Sequence, residues 1–480
     1  MMGKKKTKQR KPVRAANRGI VVTAYIFLAA FAGLIAYMVY FNIVRADDVI
    51  NNSYNKRQGI LSEKITRGQI LTSDGNVIAA TVKDADGNDT RYYPYNNLFA
   101  HAVGYINNGG YGIESRGCYY MLTSNQNPFE QIVNDITGEK SMGDSLVTTL
   151  DSGLQQAAYD ALGSNRGAVI VTEPSTGKIL AMVSKPDFNP NTLEANWDKI
   201  TAENADSVLI NRASQGLYPP GSTFKLVTAL AYIRQNPDDF SDYRYTCANV
   251  YDLDGHKISC AFGASHGVVD IRQSIVDSCN TSFINMGLSL DIDGYRDTAQ
   301  KLLFNGKLPL DMEYNESSFV LDGESGEWEI AQTSFGQGQT LVTPMHLAML
   351  CNAIGNGGVL MKPYLTDRVE SVNGVVIKSF RSEEYGSLMT EEEAEILKDA
   401  MTGVGQTSFD WLFGGQEYGV VCKSGTAQYG TQGYEHSFFI SFSPVDCPEI
   451  SVTVLIEGGP QRNTSAAEAA KLIYDYYYSR

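Results

Sequence analysis

No Cys-x-x-Cys pair occurs among the seven cysteines (Cys118, Cys247, Cys260, Cys279, Cys351, Cys422, Cys447), and the five histidines are scattered. Neither a zinc site nor a dense disulfide framework is therefore expected, and no metal or other cofactor is called for. Cys247 and Cys260 bracket a predicted hairpin, ANVYDLDGHKIS, where two readings stay open: a bridge formed outside the cell, or a pair of half-buried thiols. Internal repeats are absent, and low complexity is confined to a basic N-terminal tail. With 43% hydrophobic residues over 480 positions, the chain can bury one large core and a smaller second one.

Acidic residues are also missing from the start. The first eighteen residues carry eight Lys or Arg and no Asp or Glu, whereas the remainder carries all 54 acids, every one beyond residue 45, against 31 bases. Between these regimes, GIVVTAYIFLAAFAGLIAYMVYFNIV, Gly19 to Val44, has no charge at all. At about 1.5 Å per residue this run crosses a bilayer. It exceeds the ~7–15 residues of a signal-peptide core, so a retained single-pass anchor is expected rather than a cleaved leader. The basic flank places residues 1–18 in the cytoplasm and the rest outside the plasma membrane by the positive-inside rule. An acidic exported portion repels phosphate backbones, which excludes nucleic acid as a partner.

Residues 45–145 are rich in Asn, Gly, Asp and Tyr with short β-like runs, such as GQILTSDGNVIAA around a Ser73-Asp74-Gly75-Asn76 turn, and read as a small β-rich pedestal. From residue 146 the texture changes. TLDSGLQQAAYDALG has helical spacing, and RGAVIVTEPSTGKILAMVS gives two strands around a turn. A mostly helical middle follows, then three strands, EYGVVCKSGTAQYG, HSFFISFSPV and EISVTVLIEG, and a closing helix. Strands at both ends of one segment predict an α+β domain over 146–480, an antiparallel sheet flanked by helices and assembled from the segment's two termini.

Ser-x-x-Lys occurs three times, at Ser53–Lys56, Ser175–Lys178 and Ser222–Lys225. Only the last lies where Pro219-Pro220-Gly221 ends extended chain and FKLVTALAYI continues as a buried helix, which brings positions i and i+3 together. A serine before a helix is most often an N-cap. A buried lysine, however, loses its proton more readily, and a neutral amine is what a general base requires. Ser278-Cys279-Asn280 and Lys423-Ser424-Gly425-Thr426 follow, the latter the only Lys-Ser/Thr-Gly in the chain, at the end of an apolar strand. Alone, the first of these is equally a capping turn.

In this order, Ser222-x-x-Lys225, Ser278-x-Asn280 and Lys423-Ser424-Gly425 resemble the motifs of the penicillin-binding and serine β-lactamase superfamily. NRASQGLYPPGSTFK, GAVIVTEPSTGKILAMVSKPDFNPN, HGVVDIRQSIVDSCNTSF, SFGQGQTLVTPMHLA and KSGTAQ resemble the transpeptidase domain of class B penicillin-binding proteins, and RGQILTSDGNVIA and AHAVGYIN their non-catalytic pedestal. The resemblance implies peptidoglycan cross-linking through an acyl-enzyme on Ser222, with Lys225 as base and Ser278 relaying a proton to the leaving amine. It also implies that Asn280, Lys423, Ser424, Gly425 and Thr426 bind substrate, that β-lactams acylate Ser222, and that the backbone N–H groups of Ser222 and Thr426 hold the oxyanion. Gly336-Gln337-Gly338 matches a family motif near the cleft, and is equally a turn between helices. His436 is read as structural. Rival readings are a D-alanyl-D-alanine carboxypeptidase, a β-lactamase, disfavoured because no Glu-x-x-x-Asn follows the second motif, and a β-lactam sensor, for which the tail is too short. A different class of reading is a scaffold that activates a membrane glycan polymerase of the shape, elongation, division and sporulation type.

Overall fold

The computed structural model of the chain describes residues 13–41, 57–202, 206–429, 433–459 and 462–480. Residues 1–12 of the expected basic tail, the last three residues of the expected span and the Ser53–Lys56 pair lie outside the described residues. Helix α1, Val13–Tyr40, contains a 23-residue apolar stretch from Arg18 to Tyr40 with mean hydropathy 2.3, exposed along its length. At about 1.5 Å per residue it matches a hydrocarbon core of about 30 Å.

The region that follows combines short strands with short helices, among them α2, Pro128–Thr137. Its six-stranded sheet runs in the order Val376–Ser379, Thr366–Glu370, Ser145–Thr148, Ile70–Leu71, Val77–Lys83, Asp89–Tyr92. The expected turn is present: Gly75 N–H donates to Thr72 O and Thr72 N–H to Asn76 O, with Gly75 at φ +85°. Ser145–Thr148 pairs in parallel with Ile70–Leu71 and antiparallel with Thr366–Glu370, so a late segment of the chain completes the pedestal sheet. One buried cluster continues from Ile70 to Tyr474 in the last helix.

The larger sheet is assembled from both ends of its segment. Strands β1, Gly167–Thr172, and β2, Ile179–Lys185, come before the helical middle, which includes α3, Lys225–Gln235, and α4, Asn280–Ser289. Strands β3, Val421–Tyr429, β4, Tyr434–Ser443, and β5, Ile450–Ile456, come after it, and α5, Ala466–Tyr478, closes the chain. The order is β3-β4-β5-β1-β2, all antiparallel, with Lys423 opposite Ile440 and Val454 opposite both Phe439 and Val169. β1 and β5 are wholly buried because helices cover them: Ser152–Leu162, α5 and Pro344–Gly355 all pack on this sheet. That double cover explains their continuous apolar composition. β3 is an edge strand, so its outer side is free to meet the helices that carry the other motifs.

Candidate active site

The Ser222 turn is built from backbone constraints. Pro219 and Pro220 offer no N–H, and Gly221 turns the chain at φ +57° into a 3-10 turn, Gly221–Phe224, before α3 begins at Lys225. Ser222 therefore lies one turn ahead of the α-helix and makes no capping hydrogen bond, unlike the capping role its position suggests. In a 3-10 turn positions i and i+3 eclipse, which places Ser222 and Lys225 on one side.

Two backbones hold this turn. Gly221 N–H donates to Gly336 O at 2.8 Å, and a Cβ on Gly336, itself at φ +86°, would stand 1.7 Å from Gly221 O. On the other side a Cβ on Gly221 would stand 2.7 Å from Thr426 O, and one on Gly425 2.9 Å from Pro220 O. Gln337 Nε2 donates to Thr426 O at 3.3 Å. The Gly336-Gln337-Gly338 turn thus presses the Ser222 turn against β3, a packing role that punctuation alone did not reveal.

Lys225 is fully buried, and its Nζ donates to Ser278 O at 2.6 Å, Ser278 Oγ at 3.1 Å and Asn280 Oδ1 at 2.7 Å. Lys423, 1% exposed, reaches the same Ser278 Oγ at 3.1 Å and Ser424 O at 3.0 Å. Two amines therefore flank one hydroxyl. Burial pushes the Lys225 ammonium well below its ordinary pKa, and the positive charge of Lys423 pushes it further. Burial also brings Lys423 down to about 8, against a smaller opposing effect of Cys422. The Ser222 hydroxyl itself, half-buried, makes no hydrogen bond within the described residues; Lys225 points to the Ser278 turn instead. Ser424 is half-buried and Thr426 exposed, two positions apart on β3 and so on the same side of it.

Ser278 sits in a left-handed conformation, φ +50°, which costs a non-glycine residue about 1–2 kcal/mol. The turn is tied down by Cys279 N–H to Ser274 O at 2.9 Å and by Asn280 Nδ2 to Ser259 O at 2.9 Å. The expected hairpin supplies that acceptor: Val250–Leu253 pairs antiparallel with His256–Ser259 across Asp254-Gly255, both at positive φ. Cys247 and Cys260 are unbridged, their sulfurs 3.8 Å apart.

The loop before Ser222 has an anchor that the motifs do not contain. Tyr218 Oη donates to Glu457 Oε1 at 2.8 Å, beside Arg212 Nε at 2.8 Å, and Tyr218 exchanges backbone hydrogen bonds with Val342. Burial raises the Glu457 pKa, but Arg212 and these hydrogen bonds outweigh it and hold the carboxyl below its ordinary range. His436 packs against Tyr429 at 4.0 Å and Tyr218 at 5.2 Å, and accepts from Gly458 N–H.

Known proteins resemble this chain in sequence and fold. The penicillin binding protein transpeptidase domain family matches residues 167–476, and the penicillin binding protein A dimerisation domain matches residues 67–146. The peptidoglycan D,D-transpeptidase PbpA of Mycolicibacterium smegmatis is 28% identical over 480 residues, covering 94% of this chain and 96% of its own length. An imipenem acyl-enzyme complex of penicillin-binding protein A from M. tuberculosis superposes with a TM-score of 0.76 at 27% identity, over 87% of this chain and 99% of that one. The D,D-transpeptidase domain of a peptidoglycan glycosyltransferase from Eggerthella lenta gives a TM-score of 0.75 at 29% identity, over 87% and 99%. With the family matched over more than half its length, the chain belongs to the penicillin-binding protein transpeptidases.

Proposed function

We propose that this chain is a serine D-alanyl-D-alanine transpeptidase that cross-links peptidoglycan stem peptides and is acylated by β-lactams. The observation that carries the assignment of roles is the pair of buried lysines meeting at Ser278 beside the Ser222 turn. Ser222 Oγ attacks the carbonyl carbon of the penultimate D-alanine and its proton passes to Lys225 Nζ. A neutral amine has two N–H groups, which match Ser278 O and Asn280 Oδ1 at 2.6 and 2.7 Å, and a lone pair that the Ser278 hydroxyl meets at 3.1 Å until it takes up the Ser222 proton. The oxyanion is held by the N–H groups of Ser222 and Thr426. As the C–N bond breaks, Ser278 passes the proton from Lys225 to the departing D-alanine amine. An amine of a second stem then attacks the ester, its proton returning to Ser222 by the same path. Asn280 orients the substrate amide, while Lys423, Ser424, Gly425 and Thr426 receive the terminal carboxylate on the edge strand.

The domain division follows from the same reading: a cytoplasmic tail to residue 18, an anchor over 19–44, a pedestal over 45–145 and the transpeptidase domain over 146–480, with the N-terminus inside a bacterial plasma membrane. A membrane glycan polymerase is a fitting partner, because α2 in the pedestal exposes Phe129, Ile132, Val133 and Ile136 on one helix. The test is intact mass after penicillin treatment with peptide mapping. One adduct on Ser222, absent in Ser222→Ala, is expected; an adduct elsewhere overturns the assignment. Polymer synthesis by the partner that persists with Ser222→Ala separates the scaffold role from the acyl transfer.

A further inference from the structure

Behind the Ser278 turn the fold gathers four side chains that sequence spacing kept apart. Cys247 ends a short strand, Tyr245–Cys247, Cys260 follows the hairpin, His266 precedes the strand Gly267–Val269, and Cys279 lies between Ser278 and Asn280. Their ligand atoms all lie within 4.8 Å of one another. Cys247 Sγ is 3.8 Å from Cys260 Sγ and 3.4 Å from His266 Nδ1, and Cys260 Sγ is 3.8 Å from Cys279 Sγ.

These three separations match edges of a small tetrahedron. With zinc–sulfur bonds of about 2.3 Å and a zinc–nitrogen bond of about 2.0 Å, tetrahedral geometry sets S···S edges of about 3.8 Å and S···N edges of about 3.5 Å. A disulfide would need about 2.05 Å. All three cysteines are buried, at 1%, 3% and 0% exposure, and form a cluster of their own outside the main core. Thr281 Oγ1 donates to Cys247 Sγ at 3.2 Å and lies 3.4 Å from Cys279 Sγ and 3.7 Å from Cys260 Sγ, where a hydroxyl stabilises thiolates.

We propose that Cys247, Cys260, His266 and Cys279 bind one zinc ion that pins the Ser278-Cys279-Asn280 turn to the hairpin. Four protein ligands close the coordination shell, so the ion is structural and offers no position to substrate. Its effect is on placement. Cys279 is the residue between two of the proposed active-site side chains, and Asn280 already bonds Ser259, next to Cys260. A metal tie at both points holds Ser278 in its left-handed conformation against Lys225 and Lys423. Three thiols this close are also prone to oxidation outside the cytoplasm, and metal ligation protects them.

The test begins with the full chain purified in detergent without chelator and analysed for metal by mass spectrometry. One zinc per chain is expected, lost in Cys279→Ser and in Cys260→Ser. Because those variants can fail to fold, wild-type protein stripped with a chelator and reloaded with cobalt(II) supplies a second readout: thiolate-to-cobalt charge-transfer bands with the strong visible absorption of a tetrahedral ion. Absence of stoichiometric zinc in the folded chain, zinc retained in both variants, or a mapped Cys247–Cys260 disulfide overturns the proposal. Penicillin labelling of Ser222 is read in parallel, so a metal-free chain that still labels counts against the zinc site alone.

Discussion

Two buried ionic sites in this molecule are built on opposite terms. In the pedestal, Glu114 is fully buried with Arg67 Nε at 2.9 Å and Arg91 Nε at 2.6 Å. Burial alone would raise its pKa, yet the two guanidinium groups hold it below the ordinary value and the carboxylate stays ionised. In the cleft, Lys225 and Lys423 are as deeply buried, with no carboxylate among their hydrogen-bond partners in the described residues and one shared hydroxyl between them. A buried charge with its counter-ion is a fastener; a buried charge with a like neighbour sheds its proton and becomes reactive. The same burial therefore serves rigidity in one region and chemistry in the other.

The contrast breaks most sharply at Lys225. Lys225→Ala is expected to slow acylation of the folded protein by penicillin by about 10³-fold or more, because general-base catalysis contributes about 10²–10⁴-fold, while the lost buried hydrogen bonds lower the unfolding midpoint. Stopped-flow or gel-based acylation rates decide it. Glu114→Ala should act on stability alone: leaving two arginines unpaired costs about 3–5 kcal/mol, seen as a lowered unfolding midpoint, while the folded fraction acylates at the normal rate. Gly336→Ala tests whether placement separates from charge. Its Cβ collides with Gly221 O, and a displacement of about 1 Å in the Ser222 turn is expected to cost about 10²-fold in acylation, with the pH profile unchanged in shape.

The smallest effect is a limb of that profile. Lys423 titrates at about 8, so its ammonium is present below that pH and lost above it. Acylation by a carboxylate-bearing β-lactam should fall as pH rises through about 8, chiefly in apparent affinity. In Lys423→Arg, which stays charged, the fall should vanish; a wild-type profile flat from neutral to alkaline pH contradicts the assigned role.

Much of the site was legible because its parts are short strings with local geometry. Ser222 and Lys225 are three apart in one turn, and Lys423-Ser424-Gly425 ends a strand whose apolar pattern is plain. The sheet drawn from both ends of its segment was legible for the same reason, since β1, β4 and β5 are long apolar runs bounded by turns. What escaped is non-local. Tyr218 and Arg212 meet Glu457 across more than two hundred positions, and no periodicity marks such a tether. The strand Thr366–Glu370 completes a pedestal sheet whose other members are as short as two residues, too short to carry a pattern. Gly336 looked like punctuation because the backbone it supports lies more than a hundred positions earlier. The cysteine and histidine cluster escaped because its members come from separate turns rather than one knuckle.

The assembly of the larger sheet from the two ends of its segment carries a consequence for biogenesis. Gly167 pairs with Ile456, and Lys423 meets Ser278 only after β3 has joined the sheet. A chain made from its N-terminus onward presents Ser222 long before these last strands arrive. Until then the lysine pair is unburied, the amines keep their protons, and the proposed nucleophile lacks both its proposed base and the edge strand. Reactivity toward peptides and antibiotics is thus switched on by completion of the fold, and long-range pairing of this kind is slow. A pulse of labelled penicillin during synthesis would tag finished molecules only.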